Sequence, residues 1–419
     1  MTWDFSPPQS SSCNDSDVIL DSQHLKNKNI ALLVTGSIAA FKTPILIRAL
    51  RRQGAKVTAY LSSDALKYTT KEAVQWSSQQ HIITELSSNT EHLSEKTPFD
   101  AYLIAPASYN TINKIANGIA DNAITTTIAS ALGKLQQKKT SVLIAPAMHG
   151  SMHNPILTQS MRQLSLLGVQ FIQPKDQLGK HLLADETIII NEVCRSVSQS
   201  TLKGQSILVT AGTTPVYIDD VRYMTNRFTG ELGSLVAESL FLRGADVLLI
   251  KGQGGYISRP GLPVKNIFHY DEYRQQVKDS MQQTHFDYGI FSAAVADYQP
   301  VKKVVGKIPS GGELSSIKLK STAKVIDEVL QNSPSTQLIS FKYYEKIDHA
   351  EMISNCQQRI ELGHWAVIAN CGEEIRKTGD HVAHLIHHNT EIKKIISKSL
   401  IAEGIVKMME QQHKVTRNK

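Results

Sequence analysis

The chain has 419 residues, which at about 100–200 residues per domain predicts two or three domains of globular composition, with 41% hydrophobic and 20% charged residues. Four scattered cysteines and no signal-peptide pattern predict a reducing, cytoplasmic location without a disulfide framework. A membrane protein is excluded because no apolar run reaches the roughly 18–20 residues that cross a bilayer, and the interspersed charges behind the net +7 do not indicate nucleic-acid binding.

The first predicted element is a mostly disordered tail over residues 1–28, which are rich in Ser, Asp and Asn and have no apolar period. From residue 29 onward, short apolar runs alternate with glycine turns and helical periods, which is typical of parallel βαβ units. The strands are predicted at residues 30–34, 57–61, 102–105 and 142–145. A helix is predicted over residues 108–134.

The same pattern restarts at residue 206. Further strands are predicted at residues 206–210, 247–250, 288–291, 338–341 and 366–368. The two openings predict two Rossmann-like α/β domains with mainly parallel sheets, at residues 29–195 and 203–410, separated near a serine-rich stretch. Because ligands of open α/β sheets bind beyond the carboxyl ends of the strands, each domain is expected to hold a nucleotide-sized ligand.

Three segments of the first half carry the more specific signals: GSIAAFK at 36–42, PASYNTINKIANGIAD at 106–121 and PAMHGSM at 146–152. A glycine and a serine at a helix N-terminus offer N–H groups and a hydroxyl to a phosphate, although a plain βα turn looks the same. Taken together, the segments resemble the homo-oligomeric flavin-containing cysteine decarboxylases, whose members include phosphopantothenoylcysteine decarboxylases of coenzyme A biosynthesis. The resemblance implies the flavoprotein fold of that family and a trimer with the flavin between subunits.

The resemblance also implies the ligands of this first site. FMN would be held by Gly36, Ser37, Ser62, Ser108 and Thr111. The substrate would be held by Met148, His149 and Met152.

A catalytic histidine is implied by the same resemblance, because the family places one eight residues before the aspartate that opens a strand. His92 stands eight residues before Asp100, although a histidine in a polar stretch is otherwise a solvated residue. A flavin suits decarboxylation, since oxidation of the cysteinyl thiol creates an electron sink that lets CO2 leave. A histidine can accept the accompanying proton near neutral pH.

The first half departs from the family at two positions. His149 stands where the family has an asparagine that holds the substrate carboxylate. The flap, residues 173–183, lacks the cysteine that protonates the enethiol in the family, and Cys194 is expected to be a buried thiol in the next helix. Three outcomes stay open: another acid such as His181 substitutes, the product stays at the oxidised enethiol, or the domain is a flavin-binding relic.

The motifs of the second half lie at residues 211–214, 218–230, 291–300 and 307–312. Thr, Arg and Asn side chains beside a glycine at a helix start suit a phosphate-rich ligand, although a structural loop has the same composition. A lysine on a flexible loop can close over a transferring phosphate. In this order, the motifs resemble the phosphopantothenate–cysteine ligases, in which a nucleoside triphosphate activates a carboxylate as an acyl-nucleotidylate.

This second resemblance implies that Asn226 holds the acyl intermediate, that Lys307 stabilises the developing charge, and that Asp297 contributes to a Mg²⁺ site. Substrate or nucleotide contacts are implied at Gly212, Asp219, Arg222, Ala293, Ala294, Asp297, Phe341 and Asn370. The fused form favours CTP by family association. Asp220 departs from the proline that is usual in bacterial members, and the lysine loop and residues 340–342 resemble the eukaryotic ligase. The choice between CTP and ATP therefore stays open.

The ordered set of motifs covers about residues 29–400 and predicts a bifunctional flavoprotein of coenzyme A biosynthesis. Its expected partners are 4'-phosphopantothenate, cysteine and a nucleoside triphosphate, with trimeric decarboxylase domains, dimeric ligase domains and neither nucleic acid nor membrane. One alternative keeps the ligase and makes the first domain inactive or limited to the oxidised enethiol. The other is a regulatory flavoprotein that binds a partner.

Overall fold

The computed structural model describes residues 5–6, 13–93, 98–309, 311, 316–388 and 392–417. Its contacts divide the chain into two compact units, Met1–Ser198 and Gln199–Lys419, and each unit is described by itself. None of the helices in these ranges is both long enough and apolar enough to cross a membrane. The four cysteines, all of which lie in these ranges, form no disulfide, and Cys194 is buried as expected.

The N-terminal unit contains eight strands and six α-helices among the described residues. In chain order they are β1 (Asn29–Val34), α1 (Thr43–Arg52), β2 (Lys56–Leu61), α2 (Lys71–Ser78), β3 (Ala101–Ala107), α3 (Tyr109–Ala116), α4 (Ala123–Gln136), β4 (Ser141–Pro146), β5 (Met148–His149), α5 (Pro155–Leu166), β6 (Gln170–Phe171), β7 (Lys175–Gln177), β8 (Lys180–Leu182) and α6 (Glu186–Val197). Five strands form a parallel sheet in the order β2-β1-β3-β4-β6. Strands β5, β8 and β7 form a separate antiparallel sheet.

The prediction of one helix over residues 108–134 is wrong, because the structure has the two helices α3 and α4 there. The break contains Gly118, whose φ of +69° is left-handed and does not continue a helix. Asn122 then starts α4 with a capping box: its side chain accepts the N–H of Thr125, and the Thr125 hydroxyl accepts the N–H of Asn122. Gly118 and Asn122 are therefore local signals of a helix end and a helix start in the sequence.

The prediction of a disordered tail is wrong for the stretch that directly precedes β1. Leu25 is fully buried, and its N–H donates to the Gln53 carbonyl at 2.8 Å. The N–H of Asp21 donates to the Arg52 carbonyl at 2.9 Å, so the segment is attached to the end of α1. Residues 1–4 and 7–12 lie outside the described residues. A single apolar side chain anchors this stretch, which is why it has no apolar period.

The C-terminal unit contains a second parallel sheet. Its elements are β9 (Ser206–Ala211), β10 (Val216–Tyr217), β11 (Tyr223–Met224), α7 (Glu231–Leu242), β12 (Asp246–Lys251), β13 (Val264–Asn266), α8 (Tyr270–Gln283), β14 (Tyr288–Phe291), β15 (Tyr298–Pro300), β16 (Leu319–Ser321), α9 (Val325–Asn332), β17 (Gln337–Tyr344), α10 (His349–Glu361), β18 (Ala366–Cys371), α11 (Gly372–Thr378), β19 (Val382–His387), β20 (Lys393–Ile396) and α12 (Lys398–Arg417).

The large sheet of this unit has the order β13-β12-β9-β14-β17-β18-β19-β20. Its strands are parallel from β13 to β18, while β19 and β20 are antiparallel additions. The predicted fold class, two α/β domains with mainly parallel sheets, is confirmed. In both units the predicted site segments follow the carboxyl ends of neighbouring parallel strands, which places them at one edge of each sheet.

Candidate active sites

A cavity of about 780 Å³ lies beyond the carboxyl ends of β1, β2 and β3. Its lining includes Gly36, Ser62, Asp64, Ser108, Thr111 and Met152. Four of the five residues predicted to bind FMN therefore share one cavity wall. The exception is Ser37, whose hydroxyl donates to the Ala147 carbonyl at 3.3 Å and so joins the first glycine turn to the PAMH segment.

The start of α3 supplies the polar groups at the centre of this wall. Ser108 is the N-cap residue: its hydroxyl accepts the N–H of Thr111 at 3.3 Å and lies 3.0 Å from the Thr111 hydroxyl. Thr35 fixes the turn, because its hydroxyl donates to the Pro106 carbonyl and accepts the Ser108 N–H, both at 2.8 Å. Two hydroxyls at a helix N-terminus form a group of donors that suits a phosphate.

The glycine at the first turn is required by the close approach of the second turn. A Cβ on Gly36 would lie 2.4 Å from the Cβ of Asp64, which is closer than packed side chains allow. Ser62 starts that second turn, and its hydroxyl accepts the Ala65 N–H at 3.1 Å. Gly36 therefore lets two loops meet at the edge of the cavity.

His92 does not line this cavity, so the structure of one chain does not bring it together with the predicted FMN residues. Its Nδ1 atom is buried and has no hydrogen-bond partner among the described residues, an unusual state for an imidazole nitrogen. The segment is attached to the sheet through Tyr60, whose hydroxyl donates to the Glu91 carbonyl at 3.1 Å. Hydrogen bonds from the hydroxyl and backbone N–H of Ser87 lower the pKa of Glu91.

The predicted substrate residues of this unit are divided among three environments. Met152 lines the cavity, whereas Met148 packs partly buried against the core of the unit. His149 is exposed, and its Nδ1 accepts the N–H of Ser151 at 3.2 Å. With Nδ1 engaged in this way, Nε2 of His149 is the ring nitrogen left to donate to a carboxylate.

The flap packs directly on the PAMH segment. In the antiparallel register Met148 pairs with His181 and His149 with Lys180. The Gly150 N–H donates to the Gly179 carbonyl at 3.0 Å, and a Cβ on Gly150 would lie only 2.3 Å from that oxygen. The strand β8 is thus held beside the residues that follow β4.

A chain of hydrogen bonds begins in the flap, and His181 is its only member among the candidate residues that the sequence indicates. His181 Nδ1 lies 2.5 Å from Oδ1 of Asp176, and its Nε2 lies 2.7 Å from Nδ1 of His153. The remaining ring nitrogen of His153 lies 3.3 Å from the Thr158 hydroxyl. His153 and Asp176 were missed because they are 23 residues apart in a polar context, and only the flap register brings them to one imidazole.

In the C-terminal unit, three glycine-containing segments meet backbone to backbone. Gly212 and Gly230 have φ values of +78° and +76°, and a Cβ on Gly230 would lie 2.6 Å from the nitrogen of Gly212. A Cβ on Gly252 would lie 1.9 Å from the Thr213 carbonyl oxygen. The turn after β9 is therefore packed between the start of α7 and the end of β12, with no room for a side chain.

Two predicted active-site segments are joined at this turn. Nδ2 of Asn226 donates to the Ala294 carbonyl at 3.1 Å and to the Val295 carbonyl at 3.3 Å. The Ala294 N–H donates to the Gly212 carbonyl at 2.8 Å. The structure thus brings Gly212, Asn226 and Ala294 together. Ala293 follows the same strand end, and its N–H donates to the Thr210 hydroxyl at 3.3 Å.

Asp219 is a predicted substrate contact on the loop after β10. Its side chain is fully buried and accepts the N–H groups of Val221 and Arg222 on one oxygen, and the Ile308 N–H and Arg222 Nε on the other. Burial raises the pKa of Asp219, but these N–H donors, with Ile308 the largest contributor, outweigh it and hold the pKa well below its usual range. The side chain anchors a loop, and its contact with substrate stays a prediction.

The loop that Asp219 anchors is the one that carries Lys307. The Arg222 guanidinium donates to the Ile308 carbonyl at 2.6 Å, and Asp220 accepts the Gly306 N–H at 2.6 Å. Lys307 itself is exposed between these two attachments. Residues 310 and 312–315, which continue the predicted loop, lie outside the described residues. The two motifs therefore form one assembly around a buried carboxylate.

The other predicted contacts lie on β17, β18 and the segment after β14. Asp297 is exposed and ion-paired with Lys324, while Phe341 is half-buried in β17. Asn370 is buried, and its side-chain amide donates to the Val382 carbonyl at 2.7 Å, which ties β18 to β19. Across the described part of the chain, no group of three or more His, Cys, Asp or Glu side chains is arranged to hold a metal ion.

Comparisons with known families cover both units. The model of the family described as "Flavoprotein" matches residues 19–198. The model described as "DNA/pantothenate metabolism flavoprotein C-terminal domain" matches residues 202–412. The chain thus belongs to the flavoproteins, with a C-terminal domain of the DNA/pantothenate metabolism class.

Curated relatives extend over nearly the whole chain. A protein of Thermococcus kodakarensis named "Coenzyme A biosynthesis bifunctional protein CoaBC" is 34% identical over 357 residues, which are 83% of this chain and 86% of the relative. Proteins with the same name from Methanocaldococcus jannaschii and Bacillus subtilis are 31% and 30% identical, covering 93% and 76% of this chain and 95% and 80% of theirs. The chain belongs to this family of bifunctional coenzyme A biosynthesis proteins, and the resemblance drawn from its motifs is confirmed.

Proposed function

We propose that this chain catalyses two successive reactions. The C-terminal unit joins 4'-phosphopantothenate to cysteine through an acyl-nucleotidylate, and the N-terminal unit decarboxylates the resulting phosphopantothenoylcysteine to 4'-phosphopantetheine with FMN. The observation that carries the proposal is the likeness to bifunctional relatives across both units, at 34% identity over 83% of the chain.

The cavity of the N-terminal unit fits a flavin nucleotide. Its volume of about 780 Å³ is within the range of cofactor sites, and hydroxyls at the start of α3 offer donors to the phosphate. Gly36, Ser62, Ser108 and Thr111 would hold FMN there. When bound, the flavin supplies the two-electron oxidation of the cysteinyl thiol, which creates the electron sink for the loss of CO2.

The residues of this chain hold the substrate and move its protons. Nε2 of His149 donates to the substrate carboxylate, in the role that the family gives to asparagine. His92 accepts the proton that leaves the thiol. We propose a trimer in which a neighbouring subunit completes the cavity, in keeping with the homo-oligomeric decarboxylases that the motifs resemble.

In the C-terminal unit, Asn226 holds the acyl intermediate and Lys307 stabilises charge on the transferring phosphate. The contacts of Asn226 with two carbonyls at the end of β14 support this role, since they orient its amide at the sheet edge. Asp219 acts through the loop that it anchors. Mg²⁺ would join Asp297 and the triphosphate, because magnesium is commonly held by one carboxylate and substrate phosphates. CTP is the proposed nucleotide, and the ligase domains are proposed to be dimeric.

One assay tests both reactions. The purified holoprotein is incubated with phosphopantothenate, cysteine, Mg²⁺ and either CTP or ATP, and the products are followed by mass together with pyrophosphate and CO2. Formation of the cysteine conjugate with CTP, followed by CO2 and 4'-phosphopantetheine, is the expected result. No conjugate with either nucleotide would overturn the ligase assignment, and faster conjugation with ATP would overturn the choice of CTP.

A second candidate is favoured by one observation, the lack of a cysteine in the flap. In that case, the chain remains a ligase whose N-terminal unit is inactive or releases the oxidised enethiol. Conjugate that accumulates without CO2 would establish the inactive form. CO2 accompanied by a product two hydrogens short of 4'-phosphopantetheine would establish the enethiol-releasing form.

A further inference from the structure

A chain of hydrogen bonds runs from Asp176 and His181 of the flap to His153 and on to Thr158 of α5, and the proposed function uses none of these contacts. Its central contact is the 2.7 Å approach of His181 Nε2 to His153 Nδ1. Two imidazole nitrogens at that distance share a proton, because two lone pairs would repel each other. Both side chains have access to solvent, so burial does not explain why they are paired.

The positions of the protons follow from what each partner can do. A carboxylate only accepts, so His181 Nδ1 carries a proton and donates it to Asp176. The shared proton occupies the contact between the two rings whether the pair is neutral or cationic. The proton that the pair gains or loses therefore sits on Nε2 of His153, whose contact with the Thr158 hydroxyl is long at 3.3 Å. His153 is the end of the chain from which a proton can be given away.

Both sequence neighbours of His153 are connected to the cavity. Met152, the residue before it, lines the cavity. Asn154, the residue after it, donates from Nδ2 to the Tyr109 hydroxyl at 3.2 Å, and Tyr109 also lines the cavity. The flap brings the other ring to the same place, since His181 pairs with Met148 in the antiparallel register. The chain of hydrogen bonds thus ends beside the segment that borders the proposed flavin site.

We propose that Nε2 of His153 is the acid that protonates the decarboxylated enethiolate, with His181 and Asp176 as positioning residues. This inference rests on the proposed decarboxylase function. The carboxylate of Asp176 orients the ring of His181 by accepting the hydrogen bond from its Nδ1. The pair takes the place of the flap cysteine of the decarboxylases that the motifs resemble.

The step balances without an outside reagent. After CO2 leaves, the enethiolate accepts the proton from His153 Nε2 at the carbon that lost the carboxylate, a C–H bond forms, and the carbon–carbon double bond becomes a carbon–sulfur double bond. The hydrogen and two electrons that left the sulfur-bearing carbon as a hydride at the start return to that carbon, where the second C–H bond forms, and the sulfur is left as the saturated thiolate. The pair is then neutral and regains its proton from solvent.

The test is a single turnover of the FMN-loaded full-length protein with phosphopantothenoylcysteine in the absence of oxygen. The wild type should release CO2, yield the saturated product and end with oxidised flavin absorbance. His153→Gln should release a similar amount of CO2, but its yield of saturated product should be at least tenfold lower. The absorbance of oxidised flavin should not return in this variant. The control Gln177→Ala, on the exposed side of the same hairpin, should behave as the wild type.

A second measurement is independent of turnover. In FMN-loaded protein labelled with ¹⁵N-histidine and free of substrate, Asp176→Asn should shift the imidazole nitrogens of both His181 and His153, whereas Gln177→Ala should shift neither. The proton-donor role would be overturned if His153→Gln gave saturated product at the wild-type ratio. It would also be overturned if the His153 nitrogen signals did not shift in Asp176→Asn. Neither result would affect the decarboxylase function. A wild type that releases no CO2 would instead overturn the decarboxylase function and this role with it.

Discussion

The two candidate sites are assembled in different ways. In the C-terminal unit the motif residues are held mainly by backbone groups: Asn226 donates to two carbonyls after β14, and the fully buried Asp219 accepts three backbone N–H groups and Nε of Arg222 around the Lys307 loop. In the N-terminal unit, His181 of the flap is held by side chains: it contacts His153 and Asp176, and all three residues are accessible to solvent. Backbone groups therefore hold the ligase motifs, which keep the family pattern. Side chains hold the flap region, which lacks the cysteine of the family.

This difference has a consequence for how each site tolerates change. A site anchored by backbone hydrogen bonds and by glycines without space for a Cβ loses its geometry as a whole when one anchor is removed. A chain of side chains can lose its terminal donor while the cavity and the sheet beneath it stay as they are. The ligase and decarboxylase activities should therefore respond separately to substitutions.

The largest effect is expected for Lys307→Gln. Removal of a charge that stabilises the transferring phosphate should lower the ligase kcat/KM by about 10²–10³-fold, while decarboxylation of added phosphopantothenoylcysteine stays unchanged. Pyrophosphate release and CO2 release, measured on the same preparation, check both halves. Lys302→Gln, an exposed neighbour on the same segment, is the matched control. An equal loss of both activities would contradict the separation of the sites.

Leu25→Ala acts on the N-terminal unit alone. Truncation of this fully buried side chain should destabilise the unit by about 3 kcal/mol, since it leaves a cavity between the segment before β1 and the end of α1. Hydrogen exchange of the β1 amides, followed by mass spectrometry, should accelerate, while exchange in β9 does not. Leu20→Ala, at an exposed position of the same segment, should change neither.

Asp219→Asn tests the anchor of the lysine loop. The pKa of Asp219 is depressed below its usual 3.8, so the carboxylate contributes stability above that pH, and this contribution is lost as the pH falls through the folded-state pKa. The wild type should therefore lose stability below about pH 4 more steeply than the variant. The ligase kcat/KM of the variant should also fall about tenfold, because the loop is less well placed.

Urea unfolding of the C-terminal unit at several pH values, together with ligase assays, would check this behaviour. Asp271→Asn, an exposed carboxylate on α8, serves as the control. Equal acid dependence of the wild type and Asp219→Asn would show that the buried carboxylate does not anchor the loop. An unchanged ligase rate would show that the anchor does not act on Lys307.

The smallest effect is expected at the break between α3 and α4. Asn122→Ala removes the capping box and should cost about 1 kcal/mol, whereas Asn122→Ser keeps a capping oxygen and should lie near the wild type. Hydrogen exchange at the start of α4 measures the difference. Equal exchange in both variants would mean that tertiary contacts alone hold this helix end.

Much of the fold was predictable because its signals are local. Apolar runs followed by glycine turns predicted the central parallel strands of both sheets, since such strands are buried on both faces and need no partner to be recognised. The break between α3 and α4 was not predicted, although Gly118 and Asn122 indicate it, because the apolar period continues before and after the break. The packing of Leu25 could not be predicted, because a single buried leucine has no period.

The residues of the two sites also differ in how far local sequence signals predict them. By itself, the sequence determined which residues belong to the glycine turns and the motif loops, because those positions are set by the backbone conformation of a few consecutive residues. Only the tertiary structure decided that Asp219 is a buried anchor and that His153, His181 and Asp176 form one chain of hydrogen bonds. Those outcomes depend on which distant strands and loops lie side by side, and that is decided by the burial and pairing of the whole sheet.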